Sequence, residues 1–125
     1  MMYLDTHVVV WLHVGLFNKF SSKAIQLLEE HELLISPIVT LELQYLYEIH
    51  RISYPADNII DNLTEKLGLG TCDTQFLQLV KLANQFNWTR DPFDRLIVAA
   101  AKAKEALLLT KDATIIKHYS HAMWD

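Results

Sequence analysis

The sequence predicts an α/β domain built on a mainly parallel sheet. Short apolar runs such as "MYL", "LLIS" and "ALLLT" alternate with longer segments of helical spacing, the pattern of strands joined by crossover helices. The 125 residues contain no Gly/Ser/Pro-rich linker, repeat or low-complexity tract, so a single domain over 1–125 is expected. Half of the chain (51%) is hydrophobic, enough to bury a core and inconsistent with disorder.

The elements follow in order. "MYLD" is a short apolar strand ending in an acid, and "THVVVWLHV" a short helix despite its β-branched residues. "SSKAIQLLEEH" has a serine cap and helical spacing through Ala24, Leu27 and Leu28. "LLIS" is a second strand. Ser36 then caps the helix "PIVTLELQYLYEIHRI", with Pro37 at its first position, where a missing N–H costs nothing. This helix is apolar almost all round and is expected to be central. "SYPADNIIDNLTEKL" starts another helix near Pro55. "LGLGTCD" reads as a weak strand or loop because of Gly68 and Gly70. "TQFLQLVKLANQF" is an amphipathic helix and "PFDRLIVAAAKAKE" a helix with an apolar middle. "ALLLT" is a buried strand, "DATIIKHY" a short helix and "HAMW" a last edge strand.

The formal net charge of −4 gives no general basic footprint for nucleic acid, so any such binding must be local or helped by a cation or a partner. The single cysteine, Cys72, cannot form an internal disulfide and suits a reducing compartment. The apolar N-terminus lacks a basic leader region and is interrupted by Asp5, His7 and His13. No run reaches the ~18 apolar residues of a membrane span. A soluble cytoplasmic protein is the expectation.

The acids carry the functional argument. Asp5 follows "MYL" and Asp112 follows "ALLLTK", so in a parallel sheet both lie at the same edge. Asp91 and Asp94 open the helix that leads into "ALLLT", and a βα unit places a helix N-terminus at that edge too. Ligands of such sheets sit beyond the carboxyl ends of the strands. Glu42 has Ile38, Val39, Tyr45 and Leu46 as its helical neighbours. An ionised carboxylate in an apolar stripe needs a partner or a path to the surface.

Several carboxylates cannot share a site and all stay ionised without a counter-charge. The nearest basic residues in sequence are Arg95 and Lys111. A divalent cation is the natural answer, and an oxygen-only donor set favours Mg²⁺ or Mn²⁺ over zinc. The histidine pairs His7/His13 and His118/His121 have no cysteine nearby and no zinc spacing. A carboxylate-held cation activates water and stabilises phosphoryl oxygens, which points to a metal-dependent phosphodiesterase or phosphatase.

Within "TRDPFDRLI" the two aspartates are expected to differ. With Asp91 at the N-cap, Pro92 falls at the first helical position and Asp94 at the third. Asp91 then caps the helix, while Asp94 is free to join the other acids. Arg90 and Arg95 are either phosphate contacts or exposed helix residues. Trp11, Trp88 and Trp124 are expected in the core or an interface, since none sits in a basic patch.

"YLDTHVVVWL", "SPIVTLEL", "RDPFDRLIVAAA" and "LLLTKD" occur in an order and spacing similar to PIN domains. The sequence resembles in particular the VapC-type toxins of bacterial type II toxin–antitoxin modules, from Met2 to about Trp124. The resemblance implies a three-layer α/β/α sandwich around a parallel sheet of about five strands. It also implies a Mg²⁺- or Mn²⁺-dependent endoribonuclease acting on RNA. The acidic quartet of the family matches Asp5, Glu42, Asp94 and Asp112, and Thr110 matches a hydroxyl residue that bonds a neighbouring carboxylate or a metal-bound water. Thr89 departs from the histidine that related sequences often carry before "RDPFD". A homodimer and a cognate antitoxin are implied as partners, with apolar interface surface expected around the helices near 21–31 and 37–51.

Other classes fit less well. "YLDTHVV" has a counterpart in haloacid-dehalogenase phosphatases, but those carry a second acid where this chain has His7. Phospho-acceptor receivers need an acidic pair at the first strand, where Asp5 stands alone. A PIN-like binding module without activity is opposed by the intact quartet.

Overall fold

The structure is a computed structural model describing residues 1–125. Strands β1 (Met2–Leu4), β2 (Leu33–Ile35), β3 (Gly70–Thr71), β4 (Leu107–Leu109) and β5 (Ala122–Met123) form one sheet in the order β3-β2-β1-β4-β5. Every pairing is parallel, so the sheet is wholly parallel rather than mainly so. Successive residues of a strand face opposite sides. All three residues of β1 are buried, so the central strand is covered on both faces. Helices form those outer layers and complete an α/β/α sandwich.

The helices are α1 (Thr6–Val14), α2 (Ser22–Glu30), α3 (Pro37–Glu48), α4 (Ala56–Leu67), α5 (Phe76–Ala83), α6 (Pro92–Ala103) and α7 (Ala113–His118). A 3-10 turn at Phe17–Lys19 links α1 to α2. None is long and apolar enough to cross a membrane. Ser21 caps α2 by accepting from Ala24 N at 3.0 Å, and Ser36 caps α3 ahead of Pro37, as the sequence predicts.

The glycine pair has separate reasons for its two members. Gly68 ends α4 with φ of +69°, a left-handed conformation that glycine adopts without strain. At Gly70 a Cβ would stand 3.0 Å from the tip of the Leu34 side chain, its neighbour across the β2–β3 pairing, so a larger residue would require that side chain to shift.

Two expectations need correction. Helix α3 is not enclosed: Val39 and Leu43 are its buried residues, while Leu41 is 59% and Tyr45 50% exposed. It packs on α4 and α6 along one side and leaves an apolar face outside. It also stops at Glu48, short of the expected "EIHRI" end. His50 is left-handed at φ 62°, and Arg51 N donates back to Leu46 O at 2.8 Å, turning the chain away. The second correction concerns α2, which contributes no large exposed apolar side chain. The exposed apolar residues in that part of the molecule are Val14, Leu16 and Phe17, on the link between α1 and α2, and Leu67 at the end of α4.

The topology locates the site. From β1 the chain moves outward through β2 and β3, then returns to the other side of β1 with β4. The seam between β1 and β4 is therefore the switch point of the sheet, where a crevice opens beyond the carboxyl ends. Leu4 pairs with Leu109 there, so Asp5 and Thr110 leave adjacent strands side by side.

Candidate active site

Asp5 ends β1 and caps α1: Oδ1 accepts from Thr6 N at 2.7 Å. Its Oδ2 accepts from the Thr110 hydroxyl at 2.6 Å. The residue is only 4% exposed, and these bonds satisfy a carboxylate that burial would otherwise penalise. Asp112 ends the turn after β4 and caps α7, with Oδ1 accepting from Thr114 N at 2.8 Å and Ile115 N at 3.0 Å. Its own N–H donates to Thr110 Oγ1 at 3.0 Å. The Thr110 hydroxyl thus links Asp112 to Asp5.

Asp91 is the N-cap of α6, its Oδ1 accepting from Phe93 N at 2.8 Å and Asp94 N at 3.3 Å. Asp94 stands in the first turn of that helix, and no hydrogen bond reaches its carboxyl. Glu42, on the second turn of α3, accepts from the Thr6 hydroxyl at 2.5 Å. Asp5, Glu42, Asp94 and Asp112 line one open cleft of about 320 Å³, together with Thr6, His7 and Arg51.

The electrostatics of the cleft are those of crowded acids. Burial pushes the Asp94 carboxyl up to about 7, reinforced by Asp91, Asp5, Asp112 and Glu42. Glu42 is also raised, first by burial and further by Asp5 and Asp91, against the Thr6 bond that favours its ionised form. The molecule's one acid–base pair is His7 Nδ1 with Asp5 Oδ2, at 3.5 Å, and no lysine or arginine forms an ion pair with these acids. Burial lowers the His7 pKa despite Asp5 and Asp112 nearby, so this histidine supplies little counter-charge.

Oxygen donors with unmet negative charge fit a hard divalent cation. As the side chains stand, no three acid, histidine or cysteine groups form a ready-made coordination cage.

Thr6 and Arg51 carry no functional expectation from the sequence, and His7 is noted there as a candidate ligand only for its lack of zinc spacing. Thr6 and His7 directly follow Asp5 in "LDTH", so their proximity was available, but their partners Glu42 and Lys111 are distant in the chain. Arg51 enters the cleft only because His50 reverses the end of α3, for which the sequence carries no clear signal. Neither cation nearest the acids in sequence pairs with them. Arg95, offered as a phosphate contact, donates through Nε to Thr89 O at 2.8 Å and lines a separate hollow with Arg90. Lys111 contributes its backbone N–H, which donates to His7 Nε2 at 2.9 Å. Trp124 is buried in the core, and Trp11 packs edge-on against it at 5.8 Å while also lining the cleft.

Comparison with known proteins agrees with the fold. The family model described as PIN domain matches residues 2–121. No curated protein matches the chain. Among solved structures, the chain is similar to one in the crystal structure of VapBC2 from Rickettsia felis bound to a DNA fragment from their promoter. That match has a TM-score of 0.70 and 20% identity over 100% of both chains. A toxin–antitoxin complex from Klebsiella pneumoniae gives 0.66 and 14%, over 98% of this chain and 96% of that one. VapBC-1 from nontypeable Haemophilus influenzae gives 0.65 and 23%, over 100% of this chain and 97% of that one.

Proposed function

The chain belongs to the PIN domain family, and from that premise we propose that it is a divalent-metal-dependent endoribonuclease, the toxin of a type II toxin–antitoxin pair. The observation that carries the reading is the meeting of Asp5, Glu42, Asp94 and Asp112, from four separate parts of the chain, in one cleft at the switch point of the sheet. Asp94 and Glu42, both raised by burial and neighbouring acids with no lysine or arginine paired to them, are a poor arrangement for stability and a good one for a cation.

Asp5, Asp94 and Asp112 would hold Mg²⁺ or Mn²⁺, with Glu42 completing the cluster or orienting water. The cation supplies water activation and charge neutralisation at the phosphoryl oxygens. The protein supplies the rest. Asp5 and Asp112 are oriented by the helices they cap and by Thr110. Glu42 has one oxygen held by Thr6, which leaves Oε2 to take a proton from the attacking water. Arg51, the one arginine or lysine lining the cleft, is placed to meet a phosphate of the RNA backbone.

The relatives of similar fold are described as VapBC or toxin–antitoxin complexes, which supports a cognate antitoxin as the partner. The exposed apolar face of α3 suits a protein interface, either with the antitoxin or in a homodimer. A cytoplasmic location accords with an RNA substrate and a lone reduced Cys72.

The test is cleavage of single-stranded RNA by the purified, antitoxin-free chain. Activity with Mg²⁺ or Mn²⁺, abolished by EDTA and by Asp94→Asn, is the expected result. Full activity in EDTA would refute the metal mechanism.

A further inference from the structure

The seam between β1 and β4 poses a hydrogen-bonding problem at its carboxyl end. Asp5 N donates to Leu109 O at 3.1 Å, the last sheet bond there. Beyond it the two chains diverge, one into α1 and the other into the turn Thr110–Lys111–Asp112. The backbone N–H groups of that turn need new acceptors. Asp112 N finds the Thr110 hydroxyl, and Lys111 N finds His7 Nε2 at 2.9 Å.

We propose that His7 is a positioning residue: by accepting the Lys111 N–H it ties the turn carrying Asp112 to the helix that Asp5 caps, and so sets the spacing of these two acids. The inference rests on the reading of Asp5 and Asp112 as cation ligands.

The ring is held for this task. Its centroid lies 4.8 Å from that of Trp11, four residues on along α1. Trp11 in turn packs edge-on against Phe20 at 6.1 Å and Trp124 at 5.8 Å, so the imidazole rests on the rim of the aromatic core. Accepting an N–H requires the lone pair of Nε2, which leaves the neutral ring's proton on Nδ1. That nitrogen faces Asp5 Oδ2 at 3.5 Å. One side chain therefore addresses both tripeptides, Asp5–Thr6–His7 and Thr110–Lys111–Asp112, in parallel with the Thr110–Asp5 bond. Two ties resist rotation of the turn where one would act as a pivot.

The two ring nitrogens can be replaced separately. Glutamine carries its amide oxygen about where Nε2 stands, and asparagine about where Nδ1 stands. His7→Gln, His7→Asn and His7→Ala, each checked for fold by circular dichroism, are titrated with Mn²⁺ by calorimetry. Exchange of the Lys111 amide is followed by NMR in the metal-free proteins. His7→Gln should keep Mn²⁺ affinity close to that of the wild type, with a protected Lys111 amide. His7→Asn and His7→Ala should lose about 10- to 100-fold in affinity, the range for residues that orient metal ligands, with faster exchange at Lys111. If Mn²⁺ binding is lost in Asp94→Asn but unchanged in His7→Ala, the proposal is overturned and the cation reading stands. Equal weakening of His7→Gln and His7→Ala also overturns it, since the acceptor would then not be what matters. If the wild type binds no Mn²⁺, the cation reading itself fails and the positioning role falls with it.

Discussion

Thr110 donates its hydroxyl hydrogen to Oδ2 of Asp5 at 2.6 Å, and its own Oγ1 accepts from Asp112 N at 3.0 Å. One fully buried hydroxyl thus serves two of the four acids.

Thr110→Val keeps the shape of the side chain but leaves Asp5 Oδ2 without its hydroxyl donor and Asp112 N without its acceptor. Loss of about 1–3 kcal/mol is expected, the usual cost of a buried polar group left unsatisfied. Thr110→Ser should recover most of it. Urea unfolding of the three proteins measures both effects.

Asp94 makes the metal-free protein sensitive to pH. Its folded pKa of about 7 lies above the ordinary 3.8, so between those values the folded state keeps a proton that the unfolded chain has lost. The Asp94 contribution to stability is therefore present at low pH, declines as pH rises through that window, and levels off above about 7. In EDTA, Asp94→Asn should flatten this decline and melt higher than the wild type near pH 7.5. A melting series in which the two proteins share the same pH slope would contradict the assignment.

Cation binding must displace that proton. Mn²⁺ affinity should rise with pH up to about 7 and then flatten, with proton uptake by the buffer detectable calorimetrically. Saturating Mn²⁺ should raise the melting temperature of the wild type, and much less that of Asp94→Asn.

Asp91 and Asp94 should separate by function. Asp91 accepts two N–H groups at the start of α6, so Asp91→Ala should cost about 1 kcal/mol of stability. Asparagine caps nearly as well, so Asp91→Asn should retain much of the RNA cleavage that Asp94→Asn abolishes. A dead Asp91→Asn beside an active Asp94→Asn would mean that the two carboxylates have been assigned the wrong way round.

Arg51 should act on RNA and not on the cation. Arg51→Ala should raise KM with little change in kcat, and reduce the salt dependence of RNA binding by about one phosphate contact. Unchanged KM would place the RNA backbone elsewhere.

The sequence alone determined the order of strands and helices, the caps at Ser21, Ser36 and Asp91, and the arrival of Asp5, Asp112 and Asp94 at one sheet edge. These are short-range matters. A cap bonds N–H groups two or three residues away, and a parallel βα repeat sends every strand end to the same side. The motifs around those acids were sufficient to indicate the family. Tertiary structure alone decided which partners the side chains found. Thr6 meets Glu42, 36 positions on, and His7 meets Lys111, 104 positions on, because strand order and helix packing bring those backbones together. It also turned Arg51 into the cleft and Arg95 onto the Thr89 carbonyl, although Arg95 is the immediate neighbour of Asp94. Adjacent residues of a helix point about 100° apart, so nearness in sequence to an acid does not bring a cation to it. The exposed face of α3 follows the same logic. Its apolar residues were plain in the sequence, but only the placement of α4 and α6 along one side determined which of them would be covered.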